Sequence, residues 1–290
     1  MIVHIPGFDL ALTADSGQCF RFSRAQEGSF SLIAFGKRLG ISSLGSDRFS
    51  LDCGEADFER IWRPYFDLDC DYSAFGRDIP AQDRFLLAAH AYAGGLRILR
   101  QSPWECLVSF IISQRKNIPA IRSCVETLCR RYGDQIDEKN WAFPAPARLA
   151  GLSLEELQAC SLGYRSGYIL QTARWVAQGS IDLAGLSELD DPCLHEALCL
   201  LPGVGDKVSH CVMLFAYHRL SAFPRDVWIN RVIGNEYGGS FPLHLYTGCA
   251  GVIQQYMFCY ARSPAYRKMQ ENIGNTTKSQ ASDPPAVKEG

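Results

Sequence analysis

One stretch, residues 201–226 (LPGVGDKVSHCVMLFAYHRLSAFPRD), holds a glycine turn, an amine and a carboxylate. In Leu201-Pro202-Gly203-Val204-Gly205-Asp206-Lys207, the glycines Gly203 and Gly205 permit a tight turn at positive φ. Backbone amides can then converge at the start of the next helix and seat a phosphate. Such a hairpin grips a nucleic-acid backbone whatever its base sequence, although glycines also serve where two helices pack closely at a corner. Lys207 falls in the first turn of that helix, where the helix dipole and partial burial disfavour the ammonium and favour a nucleophilic amine. A solvated helix-start lysine would occupy the same place. Asp226, in Phe223-Pro224-Arg225-Asp226 before Val227-Trp228-Ile229, has the form of a helix N-cap. A helix of about three turns between the two returns the chain so that Asp226 can face Lys207. An amine beside a carboxylate suits attack on an acetal-like carbon with cationic character, such as a glycosidic carbon. The carboxylate stabilises the oxocarbenium-like charge while the amine adds to sugar C1′. The resulting Schiff base acidifies the C2′ proton for strand-cleaving β-elimination.

The elements that hold this pair change character along the chain. Up to about Asp52, short β-favouring runs alternate with Gly/Ser turns: Cys19–Phe22, Phe30–Phe35 and Leu39–Ile41. They predict an antiparallel sheet. From Gln82 the apolar period is helical, through 85–89, 105–112 and 121–132, with further helices expected over 153–160, 166–177, 191–200, 207–218, 227–236 and 246–262. Ser102-Pro103 with Glu105, Ser153 with Glu156, and Asp191-Pro192 read as helix starts. The fold class expected is α+β, with a β-rich subdomain over 1–85, a helical region over 86–270 and a polar, disordered tail over 271–290.

With 290 residues, 47% of them hydrophobic, the chain can bury a sizeable core. No run of about 18 apolar residues occurs, and MIVHIPGFDL lacks the features of a secretory signal, so a soluble intracellular protein without a membrane partner is expected. The net charge of -2 excludes a protein that coats nucleic acid by bulk charge. Residues 1–90 carry -4 and the remainder +2, so any anion-binding face is local and lies in the later part. Twelve cysteines sit mostly in apolar company and read as reduced core thiols. Only Cys249 and Cys259 follow the hairpin region, which lacks the ligand spacing of an iron–sulfur or zinc site, and no metal site is expected.

These residues resemble the helix-hairpin-helix DNA glycosylase superfamily, and within it the 8-oxoguanine branch, over roughly residues 8–262. Ser16-Gly17-Gln18-Cys19-Phe20-Arg21 is similar to that branch's SGQ-F-R motif, Leu99–Leu107 to its LRQ-P-ECL helix start, and Leu162-Gly163-Tyr164-Arg165 to its LGYR loop. The resemblance implies an N-terminal antiparallel β-subdomain packed on helical subdomains, with the site in the cleft between them. It implies Lys207 as Schiff-base nucleophile and Asp226 as its supporting carboxylate. Gly17 would offer its carbonyl to the N7 hydrogen that 8-oxoguanine has and guanine lacks. Cys211 and Phe258 would sandwich a flipped base, and Gln254 would bond its Watson–Crick edge. Taken singly, Cys211 and Phe258 read as core, Gln254 as an exposed helix residue and Gly17 as a turn glycine. Tyr164 would be the wedge that kinks the duplex, Arg165 the donor to the orphaned partner base, and Gly203 and Gly205 the backbone grip.

Two departures matter. Where eukaryotic members have an Asn triplet followed by Ile-Ala-Arg, this chain reads Arg115-Lys116-Asn117-Ile118-Pro119-Ala120, so Arg115 replaces the gap-filling Asn and Ala120 the cytosine-reading Arg. Arg115, Lys116 and Asn117 are expected on the DNA face. The histidine after the aspartate is replaced by Trp228, which can stack on DNA but not transfer protons. A bacterial branch is implied, hence a protein of the bacterial cytoplasm acting on nucleoid DNA, and a monomer is expected. The expected partner is duplex DNA carrying 8-oxoguanine. No cofactor is implied, a monovalent cation on hairpin carbonyls being the one candidate ion. The rival readings are a glycosylase of this fold for other damaged bases, such as alkylated purines, and a silent module that only binds bent DNA.

Overall fold

The computed structural model describes residues 1–270; the tail expected to be disordered lies outside the described residues. The N-terminal sheet has five strands, β1 (Ile2–His4), β2 (Phe22–Gln26), β3 (Ser29–Ala34), β4 (Lys37–Gly45) and β5 (Arg48–Leu51), in the order β1-β5-β4-β3-β2. All neighbours are antiparallel. Leu32 pairs with Leu39, Phe30 with Ile41, and Ile41 with Leu51, so one face is apolar while Ser29, Ser31, Gly40 and Ser50 alternate with it. Phe35 and Gly36 both take positive φ in the two-residue connection between β3 and β4, which matches the twist of the flanking strands. β2 starts at Phe22, whereas Cys19–Phe22 reads as a strand in the sequence. Cys19–Arg21 instead turns inward to join the two subdomains.

The helical part carries Arg84–Ala93, Pro103–Ser113, Ile118–Tyr132, Arg165–Ala177, Asp191–Cys199, Asp206–Phe215, Val227–Tyr237 and Ala250–Ala261. Asn117 caps Ile118–Tyr132 by accepting from the Ala120 amide at 2.9 Å, and Ser153 with Glu156 forms a reciprocal capping box. The helix from Asp206 ends at Phe215 rather than 218. The helix expected over 246–262 begins at Ala250, after a 3-10 turn at Leu243–Tyr246. A bent helical stretch over 55–65, with a π turn at Phe58–Trp62, and the short helix Leu10–Asp15 lack a sequence signal. Together they place Leu10, Trp62, Tyr65 and Phe66 beneath the sheet.

There are two apolar cores, one using residues from Ile5 to Phe66 and the other residues from Tyr72 onward, with Phe20 and Leu99 crossing between them. The boundary expected at 85 falls inside the helix Arg84–Ala93, whose Phe85 and Leu86 belong to the second core. Residues 97–101 form a strap across the join. Arg100 holds Asp67 through two nitrogens (2.9 and 2.7 Å), Tyr72 donates to the same carboxylate, and the Gln101 amide bonds the Phe215 carbonyl. All twelve cysteines are free, seven of them buried and Cys193 exposed. No helix among the described residues is long and apolar enough to cross a membrane.

Glu105, in the first turn of Pro103–Ser113, has its carboxyl pushed up to about 7 by burial, which the Arg21 charge offsets only in part. A carboxyl with a folded pKa above its unfolded value binds its proton more tightly when folded, so stability falls as pH rises from about 4.5 through 7. Glu105→Gln should therefore stabilise the protein by about 3 kcal/mol at pH 8 and change little at pH 4. Urea unfolding of both proteins at the two pH values checks this.

Candidate active site

The SGQ segment owes its place to Gln18, which is fully buried. Its amide nitrogen donates to the Arg97 carbonyl (2.8 Å) and to Ser16 Oγ (2.9 Å), and its oxygen accepts from the Leu99 amide (2.7 Å). Gln101 donates to the Gln18 carbonyl at 2.6 Å. Arg21 anchors the far end of the motif on Glu126 (2.8 Å) and on the Trp141 carbonyl. Between these anchors Gly17 sits at φ +77°, where a Cβ would touch Ile118 at 3.4 Å and the Phe258 ring at 3.5 Å.

The hairpin is built differently from its sequence reading in one respect. Gly203 takes the left-handed conformation at φ +77°, and a Cβ there would collide with the Tyr168 ring. Gly205 is extended (φ -107°) and caps Asp206–Phe215, so positive φ is required at only one of the two glycines. The carbonyls of Leu201 and Gly203 accept from the Val204 amide and from Gln114 Nε2 (3.0 Å each). Each keeps a lone pair for a further partner.

Lys207, half-buried, holds its Nζ 5.2 Å from the Phe110 ring centroid, and Phe110 stacks in turn on Phe215. Cys211, one turn further along the same helix face, is buried. Burial pushes its thiol up, the Lys207 charge opposes that and Asp226 reinforces it. The thiol therefore stays protonated and acts as an apolar wall. Asp226 begins Val227–Tyr237 and accepts from the Ile229 amide through Oδ1 at 2.8 Å. Lys207 and Asp226 line one cleft of about 790 Å³ together with Gly17, Arg115, Lys116, Asn117, Trp228 and Phe258. That volume lies within the range of ligand pockets. A deeper crevice shares both residues and adds Cys211 and Gln254. Gln254 is buried and accepts from Gln255 Nε2 at 2.8 Å; its helix is buried on nearly every face, so an exposed-helix reading fails.

The DNA-facing candidates divide. Trp228 is exposed on the cleft wall with Arg231 over its ring at 5.2 Å. Lys116 donates to the Ser161 carbonyl at 3.2 Å, and Asn117 is occupied as a helix cap. Tyr164 is exposed, but Arg165 is buried, with its guanidinium on the carbonyls of Leu162 and Gln114 and 4.4 Å from the Tyr164 ring. Two of its nitrogens bond carbonyls inside the protein and Nε is buried without a partner, so in this conformation the guanidinium is turned away from the DNA side expected for the donor to an orphaned base. It acts instead as a brace. Gln114 carries the brace to Gly203, so the Tyr164 loop and the hairpin are tied through one residue.

Sequence reasoning missed Phe110, the rest for the Lys207 amine, and Arg262, which lies 4.8 Å from the Phe258 ring. The i,i+4 spacing of Phe258 and Arg262 is the signal that was available. Arg115 is exposed on the cleft and holds φ +50°, a strained conformation for a residue with a Cβ. Asparagine adopts it more readily. Arg115→Asn should raise stability by about 0.5 to 1 kcal/mol, yet weaken DNA binding and lower the salt slope by about one. Thermal unfolding and binding across a salt series measure the two effects separately.

Residues 2–107 match the family model of the 8-oxoguanine DNA glycosylase N-terminal domain, and residues 108–240 that of HhH-GPD superfamily base excision DNA repair proteins. The chain is similar to a "Probable N-glycosylase/DNA lyase" of Methanothermobacter thermautotrophicus, at 28% identity over 90% of this chain and 96% of that protein. It is also similar to the solved structure of MBOgg1 with a low-affinity DNA ligand, at 35% identity and TM-score 0.85, over 90% of this chain and 94% of that one. The apo-form of Clostridium acetobutylicum 8-oxoguanine glycosylase/lyase gives 32% identity and TM-score 0.84, over 89% of this chain and 95% of that one.

Proposed function

The chain belongs to the 8-oxoguanine DNA glycosylases of the HhH-GPD base excision repair superfamily, and from that membership we propose that Lys207 and Asp226 are the pair with which it works. It is a bifunctional enzyme that excises 8-oxoguanine from DNA and nicks the strand. The observation that carries the assignment of residues is a crevice lined together by the Lys207 amine, the Asp226 carboxylate, Gly17, Cys211, Gln254 and Phe258.

In this reading the flipped base enters between Cys211 and Phe258. The Gly17 carbonyl accepts the N7 hydrogen of the lesion, an interaction guanine cannot make, and Gln254 bonds the Watson–Crick edge. One hydrogen bond against one unpaired buried acceptor separates lesion from guanine by about 1–3 kcal/mol. The Asp226 anion, held by the first turn of its helix, stabilises positive charge at C1′ as the glycosidic bond breaks toward the base. Lys207 Nζ bonds to C1′ and, with ring opening, forms the Schiff base. Loss of the C2′ proton then expels the 3′-phosphate. Arg115, Lys116 and Trp228 line the strand's path, Tyr164 is the wedge, and the hairpin of Gly203 and Gly205 holds phosphate. A monovalent cation on the hairpin carbonyls would add positive charge there. Arg115, Ala120 and Trp228 support a bacterial branch, and with it a monomer in a bacterial cytoplasm.

Borohydride trapping on an 8-oxoguanine duplex tests this reading. A covalent protein–DNA adduct is expected with the lesion and not with an undamaged duplex. Absence of any adduct favours a silent DNA-bending module, and equal turnover of undamaged guanine removes the lesion assignment.

A further inference from the structure

Four side chains on the helices that flank the hairpin belong to none of these roles. His195 and Cys199 stand one turn apart near the end of Asp191–Cys199, and Asp206 and His210 one turn apart at the start of Asp206–Phe215. His195 Nε2 lies 3.8 Å from Asp206 Oδ1 and 3.7 Å from Cys199 Sγ, and His210 Nδ1 lies 3.4 Å from the same carboxylate oxygen. Ligand atoms from His195, Asp206 and His210 fall within 4.8 Å of one another. A tetrahedral zinc with bonds of about 2.0–2.3 Å separates its ligands by roughly 3.3–3.7 Å. These three separations are close to such edges; Cys199 Sγ lies outside the group formed by His195, Asp206 and His210 and would reach the ion by turning about χ1, and His210, whose Nδ1 is also 2.9 Å from the Asp206 carbonyl, by turning its ring.

The surroundings fit as well. His195 Nδ1 is 3.0 Å from Ser209 Oγ, which leaves Nε2 as the nitrogen turned toward the cluster, the second-layer support that orients metal-binding imidazoles. The two rings approach to 4.8 Å between centroids, and all four residues are at least partly open to solvent, which gives an ion a way in. We propose that His195, Cys199, Asp206 and His210 form a binding site for a divalent transition metal of the zinc class, clamping the two hairpin helices. On binding, the Cys199 thiol releases its proton to solvent while both imidazoles bind in their neutral form. The sequence reading found no metal spacing because neither helix carries more than two ligands; folding brings the pairs together across the hairpin.

Cobalt(II) titration of the full-length protein, stripped with chelator, reads the site directly. A thiolate-to-cobalt charge-transfer band that zinc displaces is expected, and zinc at a hundredfold excess over its Kd should raise Tm by about 4 to 5 °C. Cys199→Ser should abolish the band, and Ser209→Ala should weaken binding by about 10- to 100-fold. Borohydride trapping should survive both substitutions, which separates this site from the assignment of Lys207. Lack of any cobalt band, or a band that persists in both Cys199→Ser and His195→Ala, overturns the proposal.

Discussion

Lys207→Gln should yield no borohydride-trapped adduct and lose base release by on the order of 10⁴-fold or more, the scale on which removal of a covalent nucleophile is felt. The fold should survive. Lys207 is half-buried, and its visible attachments are the Phe110 ring and the neighbouring Cys211 thiol, so the substitution forfeits a cation–π contact of about 0.5–1 kcal/mol. Circular dichroism and thermal unfolding should therefore be near those of the parent, and affinity for the 8-oxoguanine duplex largely kept. Lys207→Arg sharpens the test because it keeps the positive charge but cannot form the Schiff base. If charge alone were the contribution, Arg would act like Lys in every assay, and trapping by Lys207→Arg at the parental level would refute the nucleophile.

The hairpin was legible because its signals are local. Leu-Pro-Gly-Val-Gly interrupts two helical periods, and glycine and proline act on the chain where they stand. The sheet was legible for the same reason, since alternation and paired turn residues are properties of adjacent positions. The fate of a long polar side chain is not local. Arg165 in a Gly-Tyr-Arg loop looks like an exposed donor, and only the approach of the Gln114 carbonyl, fifty-one residues away, turns it inward. Gln254 looks exposed beside Gln255, yet Ala250–Ala261 runs along Arg84–Ala93 through the core, and both glutamines are buried. The sequence around Gln18 carries no signal of its role. Its three hydrogen bonds to residues distant or near are what hold Gly17 in the cleft, and no spacing rule encodes them.

Asp226→Asn distinguishes two roles that one residue combines. The carboxylate caps Val227–Tyr237 through the Ile229 amide at 2.8 Å, and a cap alone would account for an aspartate after proline. Asparagine caps a helix about as well as aspartate, so the substitution keeps the hydrogen bond and removes only the charge. If capping were the whole contribution, Tm and base release would both stay near the parental values. If the anion faces a cationic C1′, Tm stays and base release falls by about 10²–10³-fold, the magnitude typical of one lost electrostatic stabiliser in a desolvated site. Asp226→Ala completes the argument, because it should add a stability loss of about 1 kcal/mol to a similar catalytic loss. The charge is the component that matters because, of the residues lining the cleft, Asp226 is the one carboxylate, while Arg115, Lys116, Arg225 and Arg262 are cationic. One fixed anion beside the sugar then carries the stabilisation, and Lys207 receives a carbon already prepared for attack.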